Sequence, residues 1–418
     1  MKRKFALAFI FMVLTKAGHT QNTLSLTLPE AEKRFLKENY QLLAQNYNIE
    51  QAKAEVITAK LFDNPEISQE NYLYNTTDKK YLGTSYNNGY YSLDVSQLIK
   101  LAGKRNKNIQ LANTGVKLEE YAYYDLIRTL RYELRSTFYK SYYLQQSAAV
   151  YEDQIKALNK LLSASEQQLK QGNIAGKEVI RIKSLLYSVN TEYNSLKNDI
   201  EELNTNLKVL IHVPAHTTLQ LVAEPVHFES LKDKTYTTLL DSAKTNRVDL
   251  KYAQTALTYA QQNLKLQKAM AVPDIELSMV YTSQNMPDKF LGLGIKLPLP
   301  LFNRNQGEIK KAKIAIDAQN NNYNQLENLL ENEVYKAYLS ALRAQELYEG
   351  MDKNFNHDFT QMMSDVTTNF AKRNISLIEF LDFYESFKNN VLQYNQIRFD
   401  EINTKEEINF VTGTNIFK

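Results

Sequence analysis

The chain of 418 residues contains no cysteine. It therefore has no disulfide framework, no thiolate metal site and no thiol for a lipid anchor. Glycine and proline are scarce, at 12 and 8. The prolines are also clustered, with none between Pro65 and Pro214 and none after Pro300. Proline-free stretches of that length suit uninterrupted helices, because an interior proline costs a helix about 3 kcal/mol. Long apolar runs are missing too. None approaches the ~20 residues that a membrane-spanning helix needs. A bilayer crossing would therefore have to be a β-barrel, the other structure that satisfies every backbone polar group in lipid.

Charge of one sign is also lacking once the N-terminus is set apart. Lys2, Arg3 and Lys4 precede a short apolar core from Phe5 to Leu14, and Ala17, Gly18 and Thr20 lead to Gln21. That is the pattern of a cleaved secretory signal over 1–20, its apolar core being too short for an anchor. Removing it takes four of the 50 basic residues and none of the 47 acidic ones, leaving 46 against 47. No basic patch remains to suggest a nucleic-acid partner.

What is present is a repetition. Leu93, Val95, Leu101, Lys104, Ile109, Tyr123, Leu130 and Glu133 recur 200 positions later as Leu293, Ile295, Leu301, Arg304, Ile309, Tyr323, Leu330 and Glu333. In both copies an alternating apolar stretch runs into a long helical pattern. The first repeat spans 21–235: a helix over 28–61, a β-hairpin over 65–100, a helical hairpin over 103–211 and a connection over 212–235. The second spans 236–418: a helix over 236–271, a hairpin over 273–302, a helical hairpin over 303–411 and a short tail. Thr27, Pro29 and Glu30 read as a capping box at the first helix start. Asn64-Pro65 and Pro273 stop the two leading helices.

The helices are long. From Ile309 to Tyr348, twelve residues spaced by three or four form a seam, and ten are apolar or Tyr. That is coiled-coil spacing. A continuous helix over 303–370 would reach about 100 Å, longer than a compact domain and suited to a tube or bundle.

The strands alternate with period two. Tyr91, Leu93 and Val95 alternate with Ser92, Asp94 and Ser96. Ile275, Leu277, Met279 and Tyr281 alternate with Glu276, Ser278 and Val280. Leu291, Leu293 and Ile295 alternate with Gly292, Gly294 and Lys296. At about ten residues each they have the length of tilted transmembrane β-strands. Apolar-out and polar-in is the pattern of a water-filled barrel, which puts Glu276, Ser278, Gly292, Gly294 and Lys296 on the lumen. A half-buried soluble sheet gives the same alternation; export and the setting between very long helices weigh against it. The tyrosines near the strand ends suit an interfacial belt or the packing of a sheet. Four strands cannot close a barrel, since the smallest have eight, so several copies would have to share one.

These residues resemble the TolC-like outer-membrane efflux proteins along the whole mature length. The breaks at Gly172-Asn173-Ile174 and Arg373-Asn374-Ile375 are similar to that family's helical hairpin tips. Pro298-Leu299-Pro300-Leu301-Phe302-Asn303-Arg304-Asn305-Gln306-Gly307-Glu308 resembles the strand-to-helix junction of the heavy-metal branch, the cobalt–zinc–cadmium and copper–silver resistance type. Leu101-Ala102-Gly103-Lys104-Arg105 resembles the matching junction of the first repeat. The resemblance implies a mainly α fold with a small β part. It is built from a duplicated helix–β-hairpin–helix unit. It also implies a homotrimer, with a twelve-stranded barrel in outer-membrane lipid and a periplasmic α-barrel of coiled helices. A periplasmic adaptor and an inner-membrane pump of the resistance–nodulation–division type would be its partners. Some relatives carry a lipid on an N-terminal cysteine; with none here, anchoring would rest on the barrel.

Chemistry-bearing motifs are weak. His212, His216 and His227 lie near one another, but Pro214 keeps the first two off a shared helix face, and linker histidines are the simpler reading. Met362-Met363 fits core filling better than a soft-metal site. Gly292-Leu293-Gly294 is too short for a nucleotide loop. No catalytic, cofactor or metal residues are assigned, and the chain reads as a duct rather than an enzyme. Glu379 and Asp382, one helical turn apart after the second tip, would face the pore entrance as an acidic ring drawing cations, or lie on an outer face or adaptor contact. Gly172, Asn173, Ile174, Arg373, Asn374 and Ile375 would dock the adaptor. The expected cargo is a heavy-metal cation. Drugs or secreted proteins are the alternative, and a periplasmic scaffold without a barrel is the remote one.

Overall fold

The computed structural model describes residues 23–76, 79–82, 89–224, 229–284, 289–352, 355–372 and 374–417. The signal segment 1–20, His227, the Met286-Pro287-Asp288 turn, Arg373 and most of the first hairpin loop lie outside the described residues. In chain order the elements are β1 (Thr23–Thr27), α1 (Leu28–Glu38), α2 (Tyr40–Lys60), β2 (Glu66–Asn71), β3 (Tyr74–Asn75), β4 (Lys80–Tyr81), β5 (Tyr90–Ile99), α3 (Lys104–Lys170), α4 (Gly176–Leu210), β6 (Thr218–Val222), a 3-10 turn (Leu231–Asp233), α5 (Tyr236–Asn246), α6 (Val248–Met270), β7 (Ile275–Gln284), β8 (Lys289–Lys296), α7 (Gln306–Glu349), α8 (Phe355–Ala371) and α9 (Leu377–Thr412). The fold is mainly helical with a small strand part, and it uses one plan twice.

α3 runs unbroken for 67 residues, about 100 Å. Three expected helices are divided instead. The one over 28–61 breaks at Asn39, whose side chain accepts from the Gln41 and Leu42 N–H groups and donates to the Leu210 carbonyl at 3.0 Å. The one over 236–271 breaks at Arg247, with backbone φ −58 and ψ 120. The expected 100 Å helix of the second repeat ends at Glu349, after 44 residues. Its C-cap is Gly350, the one glycine between Gly307 and Ala371, and glycine in a helix interior costs about 1 kcal/mol. The Thr27 capping box is present, with the Thr27 N–H donating to Glu30 Oε2 at 3.0 Å. The expected connection over 212–235 contains β6, which pairs in parallel with β1, Leu24 against Leu219 and Leu26 against Leu221.

Three apolar clusters lie along the helices. One joins α1, α2, α3, α4 and the β1–β6 pair through Leu26, Phe35, Leu134, Phe138 and Leu207. A second joins α5, α7 and α9 through Leu239, Leu330, Val334 and Ile408. The third sits among α3, α4, α8 and α9, with Leu158, Val189, Met363 and Phe380. Met363 is thus core filling, and Met362 packs against the same cluster.

Arginines bind the two repeats together beside the first two clusters. Arg135 on α3 meets Glu32 and, at 2.9 Å, Glu406 on α9. Arg128 on α3 donates to the Phe410 carbonyl at 3.0 Å. Within the second repeat Arg247, 3 % exposed, holds Asp249 and Glu333 at 2.5 and 2.6 Å. Burial acts to raise the Asp249 carboxyl, but the Arg247 hydrogen bonds and the charges of Arg247 and Arg128 outweigh it and hold the carboxyl below its ordinary value.

Two outcomes follow for unfolding by guanidinium, read by far-ultraviolet ellipticity. Phe138, fully buried, makes Phe138→Ala less stable by about 4 kcal/mol. Asp249→Asn leaves Arg247 underpaired and lowers stability at pH 7 by about 2 kcal/mol. A lowered carboxyl contributes its stability above its unfolded value and loses it as pH falls through the folded one. The gap between Asp249→Asn and wild type therefore holds down to about pH 4 and closes below it.

Candidate functional site

The strands form one antiparallel sheet in the order β2-β5-β7-β8, so the two hairpins join through β5 and β7. Its register settles which residues share a face. Val95 pairs with Ile67 and Met279, Leu277 with Ile295, and Met279 with Leu293. With Leu93, Tyr281 and Leu291 they make a mainly apolar face, on which Gln69, Asn71, Gln97, Ser283 and Lys289 are the polar exceptions. The opposite face carries Glu66, Ser68, Ser92, Asp94, Ser96, Glu276, Ser278, Gly292, Gly294 and Lys296, in register from strand to strand. Lys296 meets Glu276 at 3.1 Å. A Cβ at Gly294 would meet the Ser278 hydroxyl, which would have to turn aside.

Among the described residues nothing covers the apolar face. Leu293 is 85 % exposed and Ile295 74 %, and the two sheet edges, β2 and β8, have no partner strand. An exposed apolar face bounded by open edges is unstable in water, because it templates pairing with other strands. In lipid the same face is favoured, provided that the edges close. β2 and β8, at six and eight residues, are shorter than the expected ten, whereas β5 and β7 reach it. No helix among the described residues is long and apolar enough to cross a membrane.

Where the sheet meets the helices, a clasp joins the repeats. Ala102 and Gly103 both have positive φ, at 55° and 64°, and turn the chain from β5 into α3. Lys104, 4 % exposed, then donates to the Val272 carbonyl at 2.6 Å and to Asp274 Oδ1 at 2.7 Å. Asp274 also accepts the Leu101 N–H at 2.8 Å. Sequence reasoning aligned Lys104 with Arg304 but missed Asp274, because the two groups lie 170 residues apart in the chain. At the second junction Asn305 takes the positive φ, 57°. Its amide donates to the Gln267 carbonyl and side chain at 2.8 and 3.0 Å. Gln306 accepts the Arg304 N–H at 2.7 Å. Asn303 accepts the Asn305 N–H at 3.0 Å, and Gly307 lies in the first turn of α7.

The two helical tips share a geometry. At the first, Gly172 has φ 78°. Its N–H bonds the Leu169 carbonyl, and the Asn173 N–H bonds that of Gln168. This is a Schellman ending, which glycine favours. At the second, the Asn374 N–H bonds the Asn369 carbonyl over the same span. Asn173 and Asn374 are exposed, and Ile174 and Ile375 half-buried. Both isoleucines line one cavity of about 890 Å³, with Leu161, Glu178, Phe370 and Phe380, so the tips lie side by side. Glu379 caps α9: its carboxylate accepts the Ser376 N–H at 2.7 Å and its own N–H donates to Ser376 Oγ at 3.2 Å. The Ser376 N–H, and then the Ser376 hydroxyl, hold its carboxyl below the ordinary range. Asp382 is exposed one turn later.

Above the tips a charge sits on the buried seam of α9. Leu381, Lys388, Asn395, Ile402 and Asn409 are all buried at intervals of seven. Lys388 donates to Glu192 Oε2 on α4 at 2.6 Å, and Tyr151 on α3 donates to the same oxygen at 3.2 Å. Burial and Glu192 push the Tyr151 hydroxyl up to about 12. The heptad spacing was the signal for Lys388, since a lysine at a seam position has to find a partner there. His212 bonds the Tyr40 hydroxyl at 3.0 Å. Among the described residues no three His, Asp or Glu side chains are arranged to hold a metal ion.

Comparison with known proteins places this arrangement. The model of the family described as outer membrane efflux protein matches residues 33–211 and 239–352. No curated protein sequence matches the chain. Among solved structures, the CmeC outer membrane channel of Campylobacter jejuni is similar at 16 % identity and TM-score 0.72, covering 92 % of this chain and 85 % of that one. CusC, solved in connection with its transmembrane channel formation, is 16 % identical at TM-score 0.72, covering 97 % and 96 %. The open-state MtrE channel of Neisseria gonorrhoeae is 15 % identical at TM-score 0.69, covering 93 % and 89 %. These likenesses carry the fold, and the family match spans well over half of the chain. The chain belongs to the outer membrane efflux protein family and is an outer-membrane efflux channel with a periplasmic helical extension, not an enzyme.

Proposed function

We propose that three copies of the chain form the exit duct of a tripartite efflux system that expels heavy-metal cations. The supporting observation is the four-stranded sheet, apolar on one face and open at both edges. Three such sheets, edge to edge, give the twelve strands of a barrel large enough to hold water. Glu276, Ser278, Gly292, Gly294 and Lys296 then line its lumen. A periplasmic adaptor docks at the tips, on Gly172, Asn173, Ile174, Arg373, Asn374 and Ile375, and a resistance–nodulation–division pump of the inner membrane supplies the energy. The signal segment 1–20 directs export, and the barrel alone anchors the protein.

The metal reading rests on the Pro298–Glu308 junction, with Asn303, Arg304, Asn305, Gln306 and Gly307 at its centre. Glu379 and Asp382 stand at the pore entrance, where an acidic ring concentrates cations. No metal-holding cluster is needed in such a duct, because selection happens at the pump and the entrance.

Deleting the gene tests the cargo. The account expects sensitivity to one or more of zinc, cobalt, cadmium and copper, with drug sensitivity unchanged; the reverse result gives the duct to drugs. For the entrance, single-channel recordings of the Asp382→Asn and Glu379→Ala/Asp382→Ala variants are expected to show weaker cation preference. Unchanged preference and conductance in both would sink the acidic gate. Asp382→Asn leaves the α9 cap intact, so it separates charge from helix fraying.

A further inference from the structure

The chain contains one joint between its repeats and implies a second. At the internal joint β5 pairs with β7, and the turn that follows β5 grips the turn that precedes β7. Lys104 holds Asp274 and the Val272 carbonyl there, and Asp274 holds the Leu101 N–H. The second joint, from β8 back to β2, has no partner among the described residues, where these are the two sheet edges.

The repeat supplies its chemistry. Arg304 stands 200 positions after Lys104, in the turn that follows β8. Pro65 precedes β2 and Glu66 opens it, much as Pro273 and Asp274 precede β7. Both candidate groups are uncommitted. Arg304 is exposed, and among the described residues its guanidinium makes only a long 3.4 Å bond to the Leu301 carbonyl, three residues earlier. Glu66 is exposed, and its carboxylate has no hydrogen bond or ion pair among the described residues. The other charges nearby are already used. Asp63 pairs with Lys100 at 2.9 Å. Arg105 donates to the Lys60 carbonyl and lies over the Phe62 ring at 4.2 Å. Beside Pro65 a cleft of about 520 Å³ opens between Phe62, Asn64, Leu98 and Arg105.

We propose that Arg304 of one copy clasps the next copy at the Asn64–Glu66 turn, with its guanidinium on the Glu66 carboxylate. It repeats between chains what Lys104 and Asp274 do within one. The occupant of the site is a second copy of this chain, and the inference rests on the trimer reading above. The two junctions differ in one respect. α3 starts at Lys104, whereas Arg304 lies two residues before α7. The longer, forked guanidinium suits that extra reach and can bind both carboxylate oxygens. The clasp fixes which edge meets which, and so the order of subunits around the pore.

The test uses the full chain purified from the outer membrane in detergent. Light scattering counts the chains of the wild type, and mild-detergent gels read the trimer fraction. Arg304→Glu and Glu66→Arg each bring like charges together at three interfaces, and each is expected to raise the monomer fraction about tenfold or more. The double variant R304E/E66R is expected to recover most of the trimer. Because the chain lacks cysteine, a short bis-maleimide is expected to link the R304C/E66C protein into two- and three-chain species, and neither single variant. Trimeric wild type with harmless single swaps, or with no recovery in the double and no crosslink, overturns the clasp alone. Monomeric wild type overturns both the clasp and the trimer reading.

Discussion

An unpaired peptide group in hydrocarbon costs several kcal/mol, so a sheet in lipid has to lose its edges. β2 and β8 are the edges here, and the face they bound is mainly apolar, with Ile67, Val95, Met279 and Leu293 in one row. The chain cannot meet that demand alone, because four strands do not curl into a closed cylinder. The need to complete the sheet therefore explains why one polypeptide carries two hairpins and still depends on further copies. It also explains why the polar residues Glu276, Ser278, Gly294 and Lys296 sit in register on the other face.

The helices answer a different demand. α3 and α4 extend far from the sheet, and α7, α8 and α9 run beside them. Their cohesion comes from three separate apolar clusters and a few buried charges rather than from a single core. Arg128 and Arg135 tie the repeats together near the middle, and Arg247 ties α6 to α7 within the second. Lys388 and Glu192 tie the two helical hairpins nearer the tips. Lys104 and Asp274 tie the repeats where sheet and helices meet. Each tie joins elements far apart in sequence. The long members are thus held at intervals, and the tips share a cavity walled in part by the third cluster.

The order of strand and long helix, its duplication and the alternation of Leu277 and Met279 with Glu276 and Ser278 were legible in sequence, because they are local periodicities. The positions of the Gly172 and Asn374 breaks were legible for the same reason. β1 and β6 were not, since five residues give too short an alternation and their pairing spans almost 200 positions. The breaks at Asn39 and Arg247 were only partly local: Asn39 caps Gln41 and Leu42 and Arg247 pairs with Asp249, but the Leu210 carbonyl and Glu333 come from far along the chain. Glu379 was read for its charge alone. Its spacing from Ser376 also spelled a capping box, and the structure gives its carboxylate that work. Asp274 escaped notice because its meaning depends on which strand lies beside it.

The account rests on the closure of the sheet by copies of the same chain. Projection images of the purified particle, viewed down its long axis by electron microscopy, address this most directly. The account predicts three-fold symmetry around a central hole. A solid particle, or two-fold or four-fold symmetry, would contradict it.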